Sequence, residues 1–361
     1  MRLDSDVGPS MMMEFKSWEK DLDLVFPQLQ RVALGGRTLN VLTIGDRIAF
    51  GLPKNRSLSN EVVNLYRPMK WKARKVAGLV KWFIKMGGVG FLKSKPSKIV
   101  RSEISWLNNG GEIGFLGCNP GHGLRCIFLS SVEGQPIKVT KVAIGNNVDP
   151  VVAEGKWLQK ICGKYPGVPK FGGSETGSDW AAFWTNYISG SGPKELRGEL
   201  ECELLRSWLR PYRVKVGEVL WLKPLLEEMP TILASKLQDE VVSGALVHGD
   251  FTSWNLRSDE SGLVAIDWEW AREDGVGGLD MGHGLIMEAM LVKGLRGRGL
   301  VNDVFTKIGS KCLSDYLKEC GWRDVNLWMA LALQYVGRQM GLDVGSELGF
   351  LKNRVEHPTQ I

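Results

Sequence analysis

The chain has 361 residues, 43% of them hydrophobic and 24% charged, which supplies a packed core for two or three domains and excludes disorder as the default state. Six cysteines form no C-x-x-C pair and no zinc-ligand spacing, no apolar run is long enough to span a bilayer, and the first residues lack the basic-then-apolar order of a secretion signal, so reduced thiols and a cytoplasmic location are expected. The net charge of +6 is uneven: from Gly51 to Ser102 there are thirteen Lys and Arg against one acid, Glu61, so this segment carries +12 and the remainder −6.

In chain order, a Met-rich leader gives way to apolar alternation at Leu39–Ile44 and Arg47–Phe50, flanked by Gly35-Gly36 and Gly45-Asp46, which predicts two short strands or a small appended β element. From Trp71 to Met86, Val76, Leu79, Val80 and Phe83 recur at helical spacing with Arg74, Lys75, Lys81 and Lys85 largely opposite. This predicts a basic amphipathic helix ended by Gly87-Gly88 and Gly90. Either it packs its apolar side on the body with lysines in water, or residues 70–86 dock on an anionic membrane surface, with Trp71 and Trp82 suited to the interface. Nucleic acid is not expected, because the basic stretch lacks a recognised binding fold. Lys93–Lys98 reads as a linker.

Strands follow at Gly114–Gly117 and Leu124–Leu129, joined by the turn Cys118-Asn-Pro-Gly-His-Gly123. Gly117, Gly121 and Gly123 would let this backbone approach nucleotide phosphates and present N–H groups to them. The next strand, Pro136–Ala143, places Lys141 on a face shared with Ile137, Val139 and Ala143, so its ammonium needs a partner. Glu154 can supply one from a helix over 149–161 with Asp149 as N-cap and Pro150 in its first turn; Lys138 is the alternative lysine. After a loop at Pro166–Gly173, Trp180–Gly190 reads as a strand, and helices are predicted over Pro193–Arg210, over Leu225–Leu237 with an interruption at Pro230, and over Leu327–Met340.

The most specific stretch is Leu246-Val-His-Gly-Asp-Phe-Thr-Ser-Trp-Asn-Leu256, followed past the turn Ser258–Gly262 by Leu263-Val-Ala-Ile-Asp-Trp-Glu269. Asp250 can accept a hydroxyl proton, while Asn255 and Asp267, brought together by a hairpin, offer the oxygen ligands that a hard cation such as Mg2+ takes against nucleotide phosphates. This pattern resembles the catalytic core of the aminoglycoside phosphotransferase and choline kinase family, relatives of protein kinases. The resemblance covers residues 110 to 290 and reaches the last seventy only in helical character.

The resemblance implies an α+β, bilobal protein-kinase-like fold: an accessory region over 1–100, a small antiparallel β N-lobe over 101–190 and a mainly helical C-lobe over 191–361. It implies that Lys141 pairs the phosphates of ATP, with GTP left open, and that Glu154 orients that lysine. The backbone around Asn186 and Ile188 would bond the adenine at a hinge, and His248 and Asp280 would brace the catalytic loop. Around Asp250, Trp254 and Phe251-Thr-Ser depart from the usual residues of the family, so Thr252, Trp254, Trp268, Glu269 and Trp270 are acceptor-site candidates, and an indole suits a sugar ring. The expected activity is transfer of a terminal phosphoryl group to a hydroxyl of a small molecule such as a sugar, an aminoglycoside-like compound or an amino alcohol. The other reading is a non-catalytic kinase-like scaffold that binds a partner through its basic segment.

Overall fold

The computed structural model describes residues 27–35, 37–44, 48–68, 71–95, 101–108, 111–118, 124–133, 135–196, 198–260 and 262–357. The chain divides into two compact units, the first of Met1–Arg67, Arg74–Gly155 and Gly172–Tyr187, the second of Pro68–Ala73, Lys156–Phe171 and Ile188–Ile361. The α+β class expected from the sequence is observed, with an antiparallel sheet in the first unit and a mainly helical second unit.

The first unit contains β1 (Leu39–Ile44), β2 (Ile48–Leu52), helix α1 (Arg56–Leu65), helix α2 (Trp71–Lys85) from Arg74 on, β3 (Lys93–Lys95), β4 (Glu112–Cys118), β5 (Leu124–Val132), β6 (Gln135–Ile144), helix α3 (Val148–Ile161) up to Gly155, β7 (Phe171–Thr176) and β8 (Trp180–Asn186). The strands form one sheet in the order β3-β1-β2-β4-β5-β6-β8-β7. The side-chain period of two sends Phe115 and Phe128 to one face of it and their neighbours Leu116 and Leu129 to the other. The first face is closed by Leu29, Val32, Leu34, Ile104 and Leu107, the second by α1 through Leu58, Val62 and Val63 and by α2 through Ile84.

Two expectations change here. The sequence separates residues before 100 as an accessory region, yet β2 pairs with β4 at Phe50 opposite Leu116, so this part of the chain extends the same sheet. Its alternating apolar run offers a free backbone edge together with side chains for both faces. Part of the expected linker is strand β3, with Lys95 opposite Leu39. Helix α1 has no counterpart among the expected elements; Asn55 caps it, its Oδ1 accepting from the Leu58 N–H at 3.1 Å.

The second unit holds helix α4 (Glu199–Ser207), β9 (Leu209–Lys215), α5 (Lys223–Glu227), α6 (Thr231–Asp239), β10 (Val241–Val247), β11 (Leu256–Asp259), β12 (Gly262–Ala265), β13 (Arg272–Val276), α7 (Leu279–Met287), α8 (Gly297–Ile308), α9 (Lys311–Cys320), α10 (Val325–Met340) and α11 (Gly345–Glu356). A three-stranded sheet runs β13-β10-β9, and β11 pairs only with β12 among the described residues. The helix expected to reach Arg210 stops at Ser207, and β9 takes over where Pro211 has no N–H to continue a helix. Pro230 does separate two helices, α5 and α6, as its position suggests. Where the chain enters this unit, Gly190 lies so close to the β11 backbone that an added Cβ would stand 1.2 Å from the Ser258 carbonyl oxygen. Among the described residues, no helix is long and apolar enough to cross a membrane.

Candidate active site

The second unit builds its polar centre from the end of β10. That strand is buried from Val242 to Val247, so its apolar residues hold it between β9 and β13 and deliver His248 directly into the interior. Gly249 follows with φ 83°; a Cβ there would stand 2.5 Å from the Trp270 carbonyl oxygen, so glycine meets both the left-handed backbone and the close approach.

The turn is clamped from the start of α7. Asp280 is buried, and its two carboxylate oxygens accept the backbone N–H of His248 at 2.7 Å and of Gly249 at 2.9 Å. Burial pushes Asp280 up to about 7, against the pull of those two donors toward the ionised form. The turn that launches α7 is itself fixed, with the Trp322 and Trp328 indole N–H groups donating to the Gly277 and Gly278 carbonyls and the Tyr316 hydroxyl accepting from the Gly278 N–H.

His248 is bonded on both ring nitrogens. Nε2–H donates to the Ile266 carbonyl at 3.0 Å and Nδ1 accepts the Asp250 N–H at 3.2 Å, which fixes the neutral tautomer. Burial lowers its pKa to about 4, so it stays neutral there. Beneath it lies an aromatic block: Trp268 packs on His248 at 4.7 Å between ring centroids and on Trp208 at 5.2 Å, and Phe251 meets Trp208 edge-on at 5.8 Å.

Asp250 emerges from this frame with 24% of its side chain exposed. The Asn255 amide donates to its Oδ2 at 2.8 Å and to its carbonyl at 3.0 Å. Burial first, then the Asp267 charge, push Asp250 up to about 7, with Asn255 opposing. Asn255 and Asp267 are brought together by backbone pairing. Leu256 stands opposite Ala265 in the β11–β12 hairpin, and one step further the Ile266 N–H donates to the Asn255 carbonyl at 2.8 Å, so Asp267 follows directly beyond Asn255. Asp267 has φ 70°, a conformation that Asp tolerates better than most residues.

The donor set suits a hard divalent cation. With the Asn255 amide nitrogen committed to Asp250, its oxygen is left as the acceptor, and Asp267 adds a carboxylate; oxygen ligands of this kind are what Mg2+ takes.

In the first unit, Lys141 and Glu154 are both buried and form an ion pair at 2.5 Å. Gly155 is the reason α3 can sit close enough: a Cβ there would come within 3.1 Å of Phe183, the β8 residue paired with Lys141. Lys138, the alternative, lies instead over the Trp106 ring at 4.9 Å. Helix α3 begins at Val148, so Asp149 is a first-turn residue and not the N-cap. Gly117 is an interior residue of β4 opposite Cys126, while Gly121 and Gly123 lie outside the described residues. Asn186 ends β8 opposite Lys138, and Ile188 is buried just past the boundary between the units.

The acceptor-site candidates separate by exposure. Trp268 is 1% exposed and committed to the aromatic block, its indole N–H donating to the Ala265 carbonyl at 2.7 Å, and Thr252 is fully buried. Neither presents a surface to a ligand, because both are buried. Trp254 is partly exposed, and Glu269 and Trp270 are exposed. Residues that the sequence does not single out complete the centre. His283, one helical turn after Asp280, donates to Gln339 Oε1 at 2.8 Å and places its Nε2 3.8 Å from Asp250 Oδ1. Tyr335 and Gln339 on α10 both donate to the Gly249 carbonyl. The i, i+3 spacing of Asp280 and His283 is a usable signal. Nothing in the sequence links α10 to the loop.

No family model matches the chain, and no curated protein matches it. Among solved structures it is similar to a thermostable mutant of aminoglycoside phosphotransferase APH(4)-Ia in complex with AMP-PNP and hygromycin B, at 14% identity over 72% of this chain and 99% of that one, TM-score 0.43. It is also similar to an aminoglycoside-3'-phosphotransferase of type VIII, at 18% identity over 66% and 89%, TM-score 0.34. A third is APH(3'')-Id from Streptomyces rimosus in complex with ADP and streptomycin, at 15% identity over 58% and 90%, TM-score 0.37. Likeness this distant assigns no activity, for which the chain's own side chains are the grounds.

Proposed function

We propose that the chain is an ATP-dependent phosphotransferase that moves the terminal phosphoryl group to a hydroxyl of a small molecule. The observation that carries the reading is Asp250, a carboxylate held on a rigid turn, partly open to solvent and raised to about 7, where it can take a proton near neutrality. Asn255 and Asp267 would hold Mg2+, which supplies neutralisation of phosphate charge. Buried Lys141, oriented by Glu154, would pair the phosphates of the nucleotide, and the backbone from Asn186 to Ile188 would receive its base. The acceptor hydroxyl gives its proton to Asp250 as its oxygen forms the new bond to phosphorus and the bond to the leaving diphosphate breaks. Asn255 Nδ2 keeps Oδ2 in place, and His248 and Asp280 keep the main chain from yielding. Trp254, Glu269 and Trp270 remain to shape the acceptor site, and Trp270, 48% exposed, offers an indole face for a sugar ring.

The test is ADP release in the presence of Mg2+ and a panel of sugars, aminoglycosides and amino alcohols. At least one acceptor should stimulate release, and Asp250→Ala and Asp267→Ala should each nearly abolish it, since positioning and charge neutralisation supply most of the rate. Turnover within a few-fold of the parent in either variant overturns the assignment. Because the base acts ionised, the rate should rise about tenfold per pH unit below its midpoint and level off above it. A cation on Asp267 stabilises ionised Asp250, so the midpoint in the presence of Mg2+ should fall below 7.

A further inference from the structure

The sequence pattern of α2 predicts that Val76, Leu79, Val80 and Phe83 are buried. The structure buries a different stripe: Ala77 and Ile84 are inside with Val80 partly covered, while Leu79 is 66% and Trp82 62% exposed. Lys70 and the Trp71 side chain lie outside the described residues. Lys75, Leu79, Trp82 and Met86 follow the i, i+4, i+7, i+11 spacing that places them on one face of the helix line, and Met86 is 69% exposed. Just beyond, the short turn Gly88–Phe91 leaves Phe91 89% exposed. Arg74, Lys75 and Lys85 are exposed beside these side chains, and the whole segment carries +12 with Glu61 its single acid. That acid is engaged, accepting from the Asn64 amide and the Tyr187 hydroxyl.

We propose that the exposed face of α2, with Phe91, docks on the surface of an anionic phospholipid bilayer. Leu79, Trp82, Met86 and Phe91 are long, unpaired by any complementary apolar surface among the described residues, and match the indole-plus-aliphatic composition that enters the boundary between headgroups and acyl chains. The surrounding Lys and Arg match a negative leaflet, and their stems can lie along the apolar residues with the charges in the headgroups. A second copy of the chain is disfavoured as the occupant, because an isologous contact would bring two +12 segments together. Single-stranded nucleic acid is disfavoured because the aliphatic Leu79 and Met86 offer no face for base stacking. The inference does not depend on the phosphotransferase reading.

The full-length chain is sedimented with vesicles of phosphatidylcholine containing phosphatidylserine, and with phosphatidylcholine alone. Partitioning should be at least about tenfold stronger on the anionic vesicles at low salt, and should collapse near 1 M salt, where the screening length falls to about 3 Å. Leu79→Ser with Trp82→Ser should weaken it about tenfold or more with the thermal unfolding midpoint unchanged, because both side chains are already in water. If that pair lowers the midpoint, Lys75→Glu with Lys85→Glu replaces it and should give the same loss. Absence of binding at low salt overturns the proposal, as does undiminished binding by both variants. So does a surface occupied instead by partner copies or by an oligonucleotide, seen as concentration-dependent dimerisation or oligonucleotide binding that the same substitutions abolish.

Discussion

At the scale of single residues, the polar centre depends on groups that leave little tolerance for isosteric change. Asp280→Asn keeps the shape but turns an amide NH2 toward one of two backbone donors, leaving a buried N–H of His248 or Gly249 without an acceptor. The expected cost is about 1–3 kcal/mol, read as a lower midpoint in denaturant unfolding, and the fall should be smaller than for Asp280→Ala. Lys141→Ala removes the ammonium 2.5 Å from a Glu154 that is 3% exposed, which should cost about 3–5 kcal/mol in the same assay, and Lys141→Ala with Glu154→Gln should recover part of it. His248, Asp250, Asn255 and Asp267 are legible because they sit within twenty residues of one another, where chain connectivity alone limits how far apart they can be. Tyr335 and Gln339 are not, because their contacts to Gly249, across 86 and 90 residues, follow from packing and leave no local pattern.

At the scale of elements, periodicity identifies strands and helices better than it identifies which side of them faces inward. The strand over 136–143 and the helix over 149–161 form as their patterns predict, and Lys141 does turn to Glu154, because a lysine on a mostly apolar strand face has few other places to go. Helix α2 shows the opposite case. It carries enough apolar residues for two stripes, and the one that packs is the smaller, with Ala77 buried and Ile84 joining the core of α1 and the sheet while Trp82 stays exposed. The start of strand β9 reads as helix because Leu-rich spacing continues up to Leu209, whereas pairing with β10 at Val214 opposite Val242 makes it a strand in three dimensions. The tryptophans carry a similar ambiguity: Trp268 and Trp270 are two residues apart in a polar turn, and only the fold shows that one lies under His248 and the other in water.

At the scale of the whole molecule, charge is segregated along the chain, +12 between Gly51 and Ser102 and −6 elsewhere. Each unit also carries its own part of the proposed chemistry, the lysine–glutamate pair in the first and the base with its cation ligands in the second. Binding of ATP with Mg2+ should raise the thermal midpoint more than ATP with a chelator does, by the usual linkage of ligand binding to folding. An equal rise without the metal would argue that Asn255 and Asp267 hold no cation.

The contact between Gly190 and Ser258 makes one hydrogen atom at position 190 a gauge of how rigidly the β11–β12 ribbon must be seated. Alanine there would have to displace the Ser258 carbonyl by more than an ångström, and the displacement would be passed along the ribbon to its open end, where positions 255 and 267 stand together. Gly190→Ala should therefore silence the proposed phosphoryl transfer while every charged and hydrogen-bonding side chain of the centre is still present, which sequencing the site residues alone would never reveal.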